Sequence, residues 1–161
     1  QEVATTLEYS GISVTVDDRA QYTPGWKFNE WELKGVPLRI EIGPRDLQKN
    51  QVTGVRRDTG EKASISDREL LEKIKSILED IQQSMFSKAK RFLEEHTTTV
   101  SSYEQFKKII SADGGFVRVC WCSDSSCEQR IKEETGATIR VIPFVQETVF
   151  SPCICLSLIH I

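Results

Sequence analysis

Residues 66–96 read SDRELLEKIKSILEDIQQSMFSKAKRFLEEH, and here the apolar spacing changes from the period of a strand to that of a helix. Ser66 followed by Glu69 predicts a capping box, in which each side chain accepts from the other residue's backbone N–H. The apolar stripe predicts a long amphipathic helix over about residues 67–96. Its members are Leu70, Ile74, Ile77, Leu78, Ile81, Met85, Ala89 and Phe92. This helix separates an α/β region from a small cysteine-bearing region.

Strands dominate the region before the long helix. Apolar and polar residues alternate there, which predicts strands over 12–16, 38–42, 51–57 and 61–65. Asp58-Thr59-Gly60 predicts a hairpin turn between the last two strands. A helix over residues 2–10 that ends at Gly11 is expected to precede them. Residues 22–25 predict a turn, because Pro fixes φ and Gly allows a positive φ.

The region after the long helix mixes short helices and strands. Ser101 with Glu104 predicts a second capping box, at the start of a helix that ends at Gly114-Gly115. A strand over 116–121, a helix over 125–134 and a strand over 138–144 are predicted to follow.

The composition is that of a folded domain. Of the 161 residues 39% are apolar and 28% are charged, with a net charge of -3, which excludes a disordered chain. No apolar run approaches the roughly 20 residues of a membrane helix. The acidic total disfavours a general polyanion binder, although residues 26–62, with eight Lys or Arg and six Asp or Glu, are about +2.

All five cysteines lie between Cys120 and Cys155. Four residues separate Cys122 from Cys127, and one separates Cys153 from Cys155. Two close pairs at a distance suit a tetrahedral zinc ion with four thiolate ligands, which makes such a site structural.

Other interpretations of the cysteines stay open at this point. A disulfide framework is the first, although nothing indicates secretion. A buried free thiol is the more natural interpretation of Cys120, which alternates with Val117 and Val119. A catalytic Cys-His pair is disfavoured, because His96 ends a helix, where it complements the helix dipole.

Residues 26–46 interleave aromatic, cationic and acidic side chains. Aromatic faces stack unpaired bases, Arg donates to guanine O6 and N7, and a carboxylate accepts from the guanine N–H groups. This mixture suits the recognition of single-stranded guanines. The alternative is a hairpin whose exposed faces carry ordinary salt bridges.

The chain resembles prolyl-tRNA synthetases of the archaeal and eukaryotic type. The residues that carry the resemblance are Asp17-Asp18-Arg19, the segments 22–29 and 31–46, Arg56 to Lys62, and Glu128 to Phe144. It covers about residues 1–155. It implies a class II anticodon-binding domain, a mixed sheet with flanking helices and without its first strand, over 1–98. A small α+β zinc-binding domain over 99–155 would follow.

The resemblance also implies functional residues. By the family pattern, the second and third anticodon bases of tRNA(Pro), both guanine, would be contacted by Glu32, Arg39, Arg45 and Asp46. Arg45 stands where some relatives have Lys. The four structural zinc ligands would be Cys122, Cys127, Cys153 and Cys155. The parent enzyme would be a cytoplasmic homodimer that uses ATP and Mg²⁺ in its catalytic domain to attach proline to tRNA(Pro).

Both ends of the chain carry expectations of their own. The start inside a helix predicts a fragment cut at its N-terminus. The resemblance implies that the catalytic domain is missing, so we expect the chain to be inactive alone. Residues 156–161, Leu-Ser-Leu-Ile-His-Ile, resemble the translation of a transposon-derived sequencing adaptor, so we expect an artefact there. A short terminal strand is the alternative. For function, the alternative is a free-standing RNA-binding or structural zinc module without ligase activity.

Overall fold

Three antiparallel strands form the sheet of the first part of the chain: β1 (Leu38–Glu41), β2 (Gln51–Arg56) and β3 (Lys62–Ser66). The computed structural model describes residues 2–112, 114–144 and 152–155. The chain divides into two compact units, residues 1–88 and 89–161. The strands pair in the order β1-β2-β3. The strands predicted over 38–42, 51–57 and 61–65 are confirmed within a residue or so at each end.

The long helix, α4, runs over Leu70–Glu95 after a 3₁₀ turn at Asp67–Glu69. It buries Leu70, Ile74, Ile77 and Ile81, which form one core with Leu7 of helix α1 (Glu2–Tyr9), Val52 and Ile65. The helix and the first part of its apolar stripe are confirmed. The second part is not buried as predicted: Met85 is 45% exposed and Phe92 is 56% exposed.

The strand predicted over residues 12–16 is wrong, because this segment pairs with no strand among the described residues. Ile12 and Val14 nevertheless pack against the core of the first unit. Alternation therefore identified the buried face of an extended segment, but a strand also needs a partner for its backbone groups.

Two short helices were not predicted, and the first of them begins within the turn expected over residues 22–25. Helix α2 covers Pro24–Leu33, with Thr23 as its N-cap, and helix α3 covers Pro44–Gln48. The Thr23 hydroxyl accepts from the backbone N–H of Trp26 at 3.4 Å. Each helix has Pro at its first position, where the missing N–H removes no helical hydrogen bond.

The second unit holds a parallel pair of strands, β4 (Thr97–Thr99) and β5 (Phe116–Arg118). Helix α5 (Tyr103–Ser111) connects them, and β4 was not predicted. A Cβ at Gly115 would lie 2.9 Å from the His96 carbonyl oxygen, and its φ is +105°. Only glycine lets the backbone pass this close to His96, the residue before β4.

Helix α6 covers Ser125–Thr135, and Gly136 ends it with φ 73°, as predicted. The core of this unit contains Phe106, Ile131 and Ile154. The α/β class is confirmed: helices flank an antiparallel sheet in the first unit and surround a parallel pair in the second.

Neither predicted capping box forms. Ser66 is the N-cap of the 3₁₀ turn, but its side chain makes no cap hydrogen bond. Helix α5 begins one residue later than expected, so Ser102 is its N-cap, and the Glu104 carboxylate lies 2.7 Å from the Lys107 ammonium.

The predicted strand over 138–144 is also wrong, because these residues form no regular element and Val141 is 78% exposed. The expectations for residues 156–161 lie outside the described residues. Within the described part of the chain, no helix is both long enough and apolar enough to cross a membrane.

Candidate functional site

Arg39 is held from three sides between α2 and β1. Its Nη1 donates to the Glu32 carboxylate at 2.6 Å, and its Nε donates to the Glu41 carboxylate at 3.0 Å. The guanidinium carbon lies 4.0 Å from the centre of the Phe28 ring. The Arg39 side chain is 18% exposed and that of Glu32 is 50% exposed. The structure thus brings two of the predicted anticodon residues together, with the acceptor facing solvent.

A shallow pocket opens beside this pair. Its lining consists of Trp31, Glu32, Val36, Arg39, Val55 and Arg57. Trp31 and Arg57 were not among the predicted site residues. The only sequence signal was their position within segments that carried the family resemblance, because spacing alone does not indicate that α2 and the end of β2 meet.

Asp46 lies on α3, and its carboxylate accepts hydrogen bonds from neighbouring residues of the chain. Its carboxylate accepts from the Gly43 backbone N–H at 3.0 Å, and from Gln51 and Thr53 side chains at 3.3 Å each. The Gly43 hydrogen bond is the main cause that lowers the pKa of Asp46. Asp46 is therefore an oriented, charged acceptor. Among the described contacts, neither it nor exposed Arg45 bonds to Glu32 or Arg39.

A second ion-pair cluster fixes α2 to the segment before it. Arg19 Nη2 lies 2.7 Å from Asp17 and 2.5 Å from Glu30, and the Trp31 indole N–H donates to Asp17 at 2.8 Å. These bonds, the Arg19 contact first, hold the pKa of Asp17 well below its usual range. The cluster sets the rotation of α2, and so where Phe28 and Glu32 point.

Three cysteine sulfurs form a compact group in the second unit. The Sγ atoms of Cys122, Cys127 and Cys153 all lie within 4.8 Å of one another. Cys122 and Cys127 are 3.4 Å apart at sulfur, and none of the five cysteines, all of which are described, forms a disulfide. The backbone N–H of Ile154 donates to the Cys120 carbonyl at 2.9 Å, which joins the two cysteine-bearing segments.

This group fits a tetrahedral metal ion. Zinc–sulfur bonds of about 2.3 Å place thiolates about 3.8 Å apart, close to the separations here. Burial, and then the hydrogen bond with Cys122, raises the pKa of Cys127 to about 12. Without a metal the Cys127 thiol is therefore protonated, and a metal that binds here must displace its proton.

Cys155, the fourth predicted ligand, lies outside the group of three. It packs against the apolar cluster around Phe106 and Ile131. Cys120 is half-buried, in line with the interpretation as a free thiol. His96 Nδ1 lies 2.8 Å from the Phe92 carbonyl oxygen, which can only accept, and the imidazole stacks on the Phe92 ring, so its contacts are those of a helix end.

The comparisons with known proteins match both units. Residues 1–77 match the family described as anticodon binding domain, and residues 103–157 match the family described as prolyl-tRNA synthetase, C-terminal. The chain belongs to the prolyl-tRNA synthetase family. The family resemblance that the sequence motifs carried is thereby confirmed.

Relatives in this family match nearly all of the chain. It is 51% identical over 135 residues to a proline–tRNA ligase of Natranaerobius thermophilus, which covers 84% of the chain and 28% of that protein. It is 47% identical over 148 residues to proline–tRNA ligase 2 of Clostridioides difficile, and this match covers 92% of the chain and 31% of that protein. It is 44% identical over 154 residues to a proline–tRNA ligase of Lachnospira eligens, with 96% and 32% covered.

The chain spans about a third of the length of these curated relatives. Because they are prolyl-tRNA synthetases, they favour the interpretation as domains of this family over that as a free-standing module. The archaeal and eukaryotic subtype stays a prediction.

Proposed function

We propose that the chain recognises the anticodon of tRNA(Pro), with Glu32, Arg39, Arg45 and Asp46 as the residues that read its second and third bases. The arrangement of Arg39 carries this proposal. Its guanidinium lies on the Phe28 ring between two carboxylates, in a unit that matches an anticodon-binding family. A guanidinium held in this way loses little freedom when it meets a base.

The pair of Glu32 and Arg39 is complementary to guanine. Arginine donates to O6 and N7, and a carboxylate accepts from the N1–H and the exocyclic amine. The distance of 2.6 Å between Arg39 and Glu32 places a donor and an acceptor within the span of one base. Asp46 supplies a second charged acceptor and exposed Arg45 a second donor.

For the complete protein we propose the activity in the names of the relatives. The enzyme would form prolyl-adenylate from proline and ATP, with Mg²⁺, and transfer the prolyl group to tRNA(Pro). These steps would belong to a catalytic domain, so the chain alone would not activate proline. We further propose a cytoplasmic homodimer, with an anticodon-binding domain over 1–98 and a C-terminal domain over 99–155.

We also propose a structural zinc ion in the second unit. Cys122, Cys127 and Cys153 would hold it, and Cys155 would complete the shell after a local rearrangement. The donor chemistry supports this proposal, since closely spaced buried thiolates suit zinc. The metal would join the segment around Cys122 to the segment around Cys153.

The experiment is a binding titration of the chain with a tRNA(Pro) transcript. A matched transcript, in which both anticodon guanines are replaced by adenine, is the control. We expect the unaltered transcript to bind more tightly by about 10-fold or more, because a wrong base at one bidentate contact costs about 1–3 kcal/mol. Equal affinities would refute the proposed reading of guanine.

A further inference from the structure

Arg57 is a cation at the rim of the shallow pocket that contains Glu32 and Arg39. Its backbone N–H donates to the Pro37 carbonyl at 2.9 Å, which ties the turn after β2 to the segment before β1. The residue is exposed, and no described side chain forms an ion pair with its guanidinium. Its backbone is therefore anchored, while its charged group is available.

The neighbouring arginines are already engaged. Arg39 pairs with Glu32 and Glu41. Arg56 lies 2.9 Å from Asp58 and also pairs with Asp80 of α4. Arg57 differs from both because its guanidinium forms no ion pair with any described residue.

The charge count beside the pocket gives the second argument. Arg39 and Lys62 balance Glu32 and Glu41, since the Lys62 ammonium lies 3.8 Å from Glu41. Arg57 then leaves one uncompensated positive charge at the rim. An exposed guanidinium with no ion-pair partner among the described residues suits a phosphate, while a clamped one such as Arg39 suits a base edge.

We propose that Arg57 binds an RNA phosphate next to the base that Glu32 and Arg39 contact. This inference rests on the proposed function and adds a sequence-independent contact to it. Phosphate contacts position the nucleic acid without reading its sequence. Arg57 should thus contribute to affinity for any transcript that enters the site, and leave the discrimination of guanine to the other residues.

The test compares the full chain with Arg57→Ala and Arg57→Lys. Arg68→Ala is the control, since Arg68 is exposed in the same unit and lies outside the pocket. Binding of the tRNA(Pro) transcript and of the adenine-substituted transcript is measured between about 50 and 200 mM salt. The slope of log affinity against log salt counts the phosphate contacts, and the ratio of the two affinities measures guanine discrimination.

We expect Arg57→Ala to reduce the magnitude of the slope by about 0.7–0.9, the value of one phosphate contact. Arg57→Lys should keep the wild-type slope, and all variants should keep the wild-type affinity ratio. An unchanged slope in Arg57→Ala, or a loss equal to that of Arg68→Ala, overturns the inference while guanine discrimination stands. A reduced ratio would make Arg57 a base-reading residue and also overturn it. If the wild-type chain binds neither transcript, both the inference and the proposed function fail.

Discussion

At the scale of single residues, Arg39 is the most constrained polar group of the candidate interface. Two carboxylates and one aromatic ring fix its guanidinium. Its neighbour Arg57 has an anchored backbone and an unengaged charge. The two arginines thus differ in the freedom of their charged groups, and this difference leads to different expected effects when each is removed.

Arg39→Ala should weaken binding of the tRNA(Pro) transcript by about 1–3 kcal/mol, because one bidentate base contact is lost. Titration at a fixed salt concentration measures the loss. Binding of the adenine-substituted transcript should change much less, since the variant loses a contact that this transcript does not make. A loss of the same size for both transcripts would contradict base reading by Arg39.

Two substitutions at Asp46 distinguish its contribution to folding from its contribution to RNA binding. Its carboxylate accepts the Gly43 N–H at the start of α3, and an amide oxygen can do the same. Asp46→Asn keeps this bond but loses the charge and the second oxygen that accepts from Gln51 and Thr53, so it should lower the thermal unfolding midpoint less than Asp46→Ala does. It should also lower affinity for the transcript. Asp46→Ala should lower both, because the helix loses its cap.

Thermal denaturation followed by circular dichroism, with the transcript titration alongside, checks both variants. If Asp46→Asn binds the transcript as the wild type does, the charge of Asp46 has no part in recognition.

At the scale of helices and strands, the long helix and the β1-β2-β3 hairpins follow directly from periodicity. Ile74 and Val52 illustrate this, since each lies on the predicted apolar face and is 1% exposed. Helix α2 did not follow, because no residue of it is buried and it is held by the polar contacts around Asp17 and Arg19, which have no apolar period. The second capping box failed because α5 begins one residue later than predicted, which changes the side chain that can reach the first N–H groups of the helix.

The attachment of α2 predicts a pH dependence. The pKa of Asp17 is lowered by Arg19 and Trp31, and that of Glu30 by Arg19 and Lys34. A carboxyl whose pKa is lower in the folded than in the unfolded state stabilises the fold above its unfolded pKa. That stabilisation is lost as the pH falls, starting near the ordinary Asp value of 3.8.

The first unit should therefore unfold at lower temperature as the pH falls below about 4. Fluorescence reports this unit alone in a Trp121→Phe background, since Trp26 and Trp31 remain. Asp17→Asn should be less stable than the wild type at neutral pH and should show a smaller further loss in acid. An equally steep acid loss in that variant would assign the dependence to other carboxyl groups.

At the scale of the whole chain, the two units depend on different interactions. Among the described residues, the first has a core of seven buried apolar residues, and the second has a cluster of three together with the buried thiols Cys127 and Cys153. A metal ion should therefore matter to the second unit in particular. Sequence spacing suggested the four ligands, but it did not show that Cys155 lies apart from the other three.

Removal of metal with a chelator should lower the stability of the second unit and leave that of the first nearly unchanged. Elemental analysis of the wild-type chain should give about one zinc per chain, the stoichiometry of a single four-ligand site. Cys127→Ser should abolish zinc retention, and Cys120→Ser, the matched control, should keep it. Full retention in Cys155→Ser would remove Cys155 from the proposed ligands, and absence of zinc from the wild type would refute the site.

The ion pair between Glu32 and Arg39 bears on which RNA bases would bind the chain weakly. In the free protein each group already satisfies the other at 2.6 Å, so an incoming base competes with a partner that is permanently present. Guanine presents acceptors to Arg39 and donors to Glu32 at the same time. Each of the two groups therefore gains a new hydrogen-bond partner in place of the one that it loses. A base that matches only one of the two groups leaves the other without its partner. If Glu32 and Arg39 read guanine as proposed, their ion pair would disfavour the binding of a wrong anticodon.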